Sequence, residues 1–119
     1  MDELLKIQIE ENLKVGLLDI LILKMISEDD KMYGYRIKQT INERSEGLIR
    51  LPEGSLYGPL YRMEKNGFIY PTKEFVGKTR FRVYYAITDK GREYLTEAIL
   101  IFNKIYEGTQ KIFNQDVLE

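Results

Sequence analysis

The chain has 119 residues, enough for one domain with a single core, and its 44% hydrophobic content fits a folded protein. It contains no Cys and no His, which excludes disulfides, thiolate metal sites, zinc centres and every nucleophilic mechanism that leans on an imidazole base. The net charge of −1 conceals a division: residues 1–30 carry three Lys/Arg against eight Asp/Glu, residues 31–92 thirteen against six, and residues 93–119 two against five. A basic centre between acidic ends puts cations where phosphates can be met and leaves the ends for self-association.

No uncharged run reaches the ~18 residues of a membrane span. The start, Met1-Asp2-Glu3-Leu4, is acidic where a secretory signal is basic, so a cytoplasmic protein without membrane contact is expected. No Gly-rich phosphate loop and no suggestively spaced pair of acids is present. The expectation is therefore no enzyme, no catalytic residue, no metal and no cofactor.

In chain order, Leu4, Leu5, Ile9 and Leu13 make one face of a short N-terminal helix, although Ile7-Gln8-Ile9 would also suit a strand. From Gly16, the series Leu17, Leu18, Leu21, Ile22, Met25 and Ile26 is a helical stripe, and Ile20 and Leu23 outside it imply cover on more than one side. Asp29-Asp30-Lys31 interrupts. Tyr33-Gly34-Tyr35 opens another helix, with Ile37 and Ile41 inward and Arg36, Lys38, Gln39 and Arg44 outward, ending near Ser45-Glu46-Gly47.

The stretch from Leu51 to Ile87 is the most specific. Ser55 reads as a helix cap, Leu56, Leu60 and Met63 as an apolar stripe, Pro59 as a first-turn proline and Asn66-Gly67 as a stop. Two strands follow, Phe68 to Phe75 and Phe81 to Ile87, joined at Gly77-Lys78-Thr79. In the second, Phe81, Val83, Tyr85 and Ile87 alternate with Arg80, Arg82, Tyr84 and Ala86, so one side packs and the other stays largely polar. Thr88-Asp89 caps a long last helix whose apolar residues exceed one buried stripe, which calls for a second surface; a symmetric dimer supplies it. Gly108 is a point where that helix can bend or fray.

Three helices followed by a basic hairpin make a winged helix-turn-helix. The fold class is α+β, mainly α with a small β-hairpin: an N-terminal helix at 1–14, a DNA-binding winged helix-turn-helix at 15–88, and a C-terminal dimerisation helix at 89–119. Tyr57, Tyr61, Arg62 and Lys65 lie off the apolar stripe and are free for a major groove. Ser55 either donates to a phosphate or merely caps the helix. Tyr33, Tyr35 and Lys38 belong to the helix that crosses the backbone, with core packing expected for one of the two tyrosines. Lys78, Arg80 and Arg82 sit on the wing, where phosphates or the minor groove come within reach. Leu5, Ile9, Phe102, Ile105 and Tyr106 are candidates to line an intersubunit gap for an aromatic or apolar effector, with ordinary dimer core as the plainer role.

Five segments in order resemble the PadR-like transcriptional regulators: Gly16 to Leu23; Tyr33-Gly34-Tyr35-Arg36-Ile37; Gly54-Ser55-Leu56-Tyr57; Arg62 to Ile69; and Tyr84-Tyr85-Ala86-Ile87-Thr88-Asp89-Lys90-Gly91. The resemblance implies a homodimeric repressor of palindromic operator DNA, in the short subfamily with one helix after the wing. Two departures stand out: Gly58 separates Tyr57 from Pro59 where many members have proline directly, and Trp is absent, so the drug-stacking tryptophans of multidrug-responsive members have no counterpart. The alternatives weighed against this are a winged-helix protein-interaction module without DNA affinity and a small-molecule carrier.

Overall fold

The computed structural model describes residues 1–114, so the last five residues of the expected C-terminal unit lie outside the described part. In chain order the elements are α1 (Glu3–Lys14), α2 (Leu17–Ser27), β1 (Met32–Tyr33), α3 (Gly34–Arg44), α4 (Tyr57–Lys65), β2 (Ile69–Phe75), β3 (Phe81–Ile87) and α5 (Asp89–Phe113). The fold class is α+β, with three strands instead of the two of the expected hairpin.

Local signals explain most boundaries. The Asp2 carboxylate accepts the Leu4 amide at 3.1 Å and starts α1, which settles the first segment as helix. Gly16 at φ +83° lets the chain break between α1 and α2 in a conformation that L side chains avoid. At the end of α4 the amide of Phe68 donates to the Met63 carbonyl at 2.9 Å and that of Gly67 to Glu64 at 3.0 Å, with Gly67 at φ +79°. This is the paired closure that the Asn66-Gly67 signal predicts. The Thr88 hydroxyl accepts the Gly91 amide at 3.0 Å and starts α5, which continues through Gly108 to Phe113 as one helix.

The core lies around α2, whose Ile22, Leu23 and Ile26 are fully buried, and which packs on α3, α4, α5 and β3. Both sides of α2 are covered, as Leu23 off the main stripe required. Ile37 and Ile41 of α3, Leu60 and Met63 of α4, and Ile69 and Ile87 of the sheet close around it. Each such side chain removed from water contributes about 1.5–3 kcal/mol before cavity effects. α1, by contrast, buries nothing, and Leu100, Ile101, Phe102, Ile105 and Tyr106 of α5 are exposed. Among the described residues no helix is long and apolar enough to cross a membrane.

The strand order is β1-β3-β2, all antiparallel, with Met32 opposite Tyr85, Tyr33 opposite Tyr84, and Ile69 opposite Ile87. β1 has only two residues, too few to show alternation, so its strand character depends on finding β3 fifty residues on. The expected packing side of β3 holds at Tyr85 and Ile87 but not at Phe81, which is 60% exposed. Near the tip of the hairpin Phe81 pairs with Phe75 on the neighbouring strand, their rings 4.5 Å apart.

Candidate nucleic-acid interface

The surface in question is built by the starts of α3 and α4 and by the β2–β3 hairpin. On α4, burial of Leu60 and Met63 turns Tyr57, Tyr61 and Lys65 outward, one helical turn apart along a single row. Tyr57 is 74% and Tyr61 67% exposed, a position large aromatics hold only where something else is to cover them or where they are isolated. Tyr35, at the start of α3, is 68% exposed, whereas Tyr33 is half-buried against Tyr84. Neither tyrosine joins the core as expected for one of them: Tyr35 points outward, and Tyr33 packs against Tyr84 and Arg82 on the sheet.

Between these helix starts, the 52–54 loop and the hairpin lies an open cleft of about 370 Å³. Tyr35, Lys38, Tyr57 and Phe81 are on its walls and Leu56 and Leu60 at its base. At the hairpin tip the Val76 amide donates to the Arg80 carbonyl at 3.1 Å, and Lys78 and Arg80 are exposed. Among the described residues no carboxylate pairs with Lys38, Lys65, Lys78 or Arg80. Phenol hydroxyls and unpaired cations on one side of the molecule are donors for anionic oxygens.

Three residues occupy places other than those expected from sequence. Ser55 does not cap α4: the helix starts two residues later behind Leu56, and the Ser55 hydroxyl donates to the Pro52 carbonyl at 2.6 Å, closing the preceding turn. Arg62 follows Tyr61 by one residue, about 100° around the helix, and points to α2, where it donates to the Asp19 carboxylate at 2.9 Å. Arg82 lies over the Tyr33 ring, 4.1 Å from its centre. Its guanidinium pKa is raised, first by hydrogen bonding to Tyr84, with desolvation opposing. The same side of the sheet holds the Lys31–Glu74 pair, which raises the Lys31 pKa through that hydrogen bond against desolvation.

The effector candidates are only partly assembled. Phe102 and Ile105 line an apolar cleft of about 570 Å³ between α5 and the α1–α2 junction. The opposite wall is Leu13, Leu17 and Ile20, not Leu5 and Ile9, which stand exposed further up α1, and Tyr106 borders a separate shallow recess with Gln110. The break at Gly16 turns Leu13 and Leu17 to the same opening, a signal that was present in the sequence.

A joint connects the two regions. The Thr88 hydroxyl donates to the Gly67 carbonyl at 2.7 Å and the Lys90 ammonium to the Asn66 carbonyl at 2.9 Å. Phe68 stacks on Tyr94 with ring centres 4.3 Å apart. The end of α4 is thereby tied to the first turns of α5.

Residues 22–97 match the transcriptional regulator PadR-like family. The chain belongs to that family. Among solved structures, this PadR-like regulator is similar to a transcriptional regulator from Clostridium thermocellum, with 31% identity, TM-score 0.71, and coverage of 87% of this chain and 96% of the other. A PadR-like transcriptional regulator from Bacillus cereus has 30% identity, TM-score 0.69, and coverage of 86% and 96%. Bacillus subtilis PadR in complex with operator DNA shares the fold at 22% identity and TM-score 0.64, over 70% of this chain and 46% of the longer protein.

Proposed function

We propose that this regulator is a sequence-specific, homodimeric DNA-binding repressor. The observation that carries the reading is the α4 row Tyr57, Tyr61 and Lys65 standing beside a wing whose Lys78 and Arg80 have no carboxylate partner among the described residues. α4 enters the major groove, and Tyr35 and Lys38 face the backbone between it and the wing. The B. subtilis relative of the same fold was solved in complex with operator DNA, which is in keeping with a DNA-binding role. Residues 15–88 form the DNA-binding unit, which works in the cytoplasm on a two-fold operator.

Dimerisation uses α1 and α5, whose exposed leucines, isoleucines and aromatics have no cover within one subunit. The α5 cleft then accepts an apolar or aromatic effector. Such a molecule releases DNA only if it binds the DNA-free spacing of the two α4 helices better than the bound spacing, since equal affinity shifts nothing. The joint at Thr88 and Lys90 carries the change from α5 to α4.

The test is fluorescence anisotropy with the DNA upstream of the protein's own gene, against a scrambled duplex, across salt concentrations. Specific binding that weakens by roughly an order of magnitude over a few-fold salt increase is expected. Tyr57→Ala should reduce the preference for the upstream DNA, while Lys78→Ala should weaken both duplexes alike. Equal, weak binding to both duplexes at low salt would refute the proposal.

A further inference from the structure

A row of linked side chains crosses the sheet, and two of its members, Tyr33 and Arg82, also line the cleft between the helix starts and the wing. The Arg82 guanidinium covers the Tyr33 ring at 4.1 Å, Tyr33 meets Tyr84 edge to face with centroids 5.5 Å apart, and the Lys31 ammonium is 5.0 Å from the Tyr84 ring centre. Lys31 is paired in turn with Glu74. The row spans all three strands: Tyr33 on β1, Tyr84 and Arg82 on β3, Glu74 on β2.

We propose that Arg82 is a positioning residue of the DNA-binding surface: through Tyr33 and Tyr84 it holds the wing at a fixed angle to α3 and α4, instead of meeting a phosphate itself. The proposal rests on the DNA-binding reading above. Three points favour it. A two-stranded hairpin is marginal in water by itself, and the outer half of this one gains little from the core, because Phe75 and Phe81 are exposed. The third strand, β1, offers only two residues of backbone pairing, yet it runs directly into α3 at Gly34, so whatever grips β1 to β3 also sets the wing against the helices. Finally, Arg82 stands directly opposite Glu74 in the strand register and is half-buried, whereas Lys78 and Arg80 at the tip are exposed. A guanidinium held over a ring beside an acidic residue is committed to the protein.

The experiment compares wild type, Arg82→Ala, Arg82→Lys and Lys78→Ala by the slope of log affinity against log salt. A lost phosphate contact lowers that slope by about one. Arg82→Ala should weaken binding roughly five-fold with the wild-type slope retained, and Arg82→Lys should restore part of the loss. Lys78→Ala should lower the slope.

A second readout needs no DNA. Because the chain has no Cys, single cysteines placed at Thr79 and Glu64 take spin labels uniquely. Their distance distribution should be narrow in wild type and Lys78→Ala and broad in Arg82→Ala. A slope lowered by one in Arg82→Ala, unchanged affinity, or an unchanged distance distribution would each overturn the proposal. If wild type binds no DNA, the functional reading fails, and the label distances still decide whether Arg82 holds the wing.

Discussion

Replacing Gly91 with Ala tests the joint between α4 and α5 most directly. A Cβ on this residue would lie 2.1 Å from the Phe68 carbonyl oxygen and 2.8 Å from Ile87 Cγ1, the first about 1.3 Å short of the 3.4 Å at which ordinary contact begins. The obstacle is backbone, so no side-chain rotation relieves it. The first turn of α5 must back away, stretching the Thr88 amide bond to the Phe68 carbonyl, now 3.0 Å, and the Thr88 hydroxyl bond to Gly67, now 2.7 Å. Overpacking of this kind costs about 1–3 kcal/mol and each weakened hydrogen bond about 1 kcal/mol, while helix propensity returns at most about 1 kcal/mol. The net expectation is a loss of about 3 kcal/mol, or roughly 10 °C in thermal midpoint for a domain of this size. Gly108→Ala is the matched control: nothing lies within 4 Å of its added Cβ, so only propensity acts and stability should rise by about 0.5–1 kcal/mol. Urea unfolding followed by far-UV circular dichroism measures both. A Gly91→Ala protein as stable as wild type would refute the close approach and the joint built on it.

Burial raises the Tyr85 pKa above the usual tyrosine range, with the Glu64 charge and Tyr57 adding to it. The stability this represents is fully present below the unfolded value near 10 and is lost as pH rises through the folded value; Tyr85→Phe should flatten that alkaline decline when urea midpoints are followed from about pH 8.5 to 11.5. Asp19→Asn releases Arg62 and removes a negative charge beside α4. Arg62 is exposed and Asp19 half-buried, so the change should cost about 1 kcal/mol of stability or less, yet raise DNA affinity a few-fold at low salt; unchanged affinity in an anisotropy titration would show Arg62 is held away by more than Asp19. Ile105→Asp places a charge on the apolar side of α5 and should convert a dimer to monomers in sedimentation equilibrium, with the far-UV spectrum unchanged because Ile105 is 63% exposed in one subunit.

The local grammar of the chain was readable without coordinates. Gly16, Asn66-Gly67 and Thr88 mark boundaries because positive φ and side-chain caps depend on residues within one turn of each other. The stripes on α2, α3 and α4 predict burial of Ile22, Ile37, Leu60 and Met63 for the same reason: a helix turns each side chain to a direction set by its own spacing. Tyr57, Tyr61 and Lys65 could be assigned outward by elimination, since the inward side was already full.

What tertiary structure alone decided is who meets whom over long separations. Arg62 is off the apolar stripe by sequence, but its orientation comes from Asp19, 43 residues earlier. β1 exists because β3 passes beside it, Arg82 lies on Tyr33 because that pairing brings the ring beneath it, and Gly91 is required because α5 crosses the Phe68 backbone. Ser55 had a cap's identity and spacing but gave its hydroxyl to a turn, because packing of Leu56 and Leu60 sets where α4 begins. Dihedral preference acts within a few residues, and a contact between distant segments depends on surfaces that exist only once the core has closed.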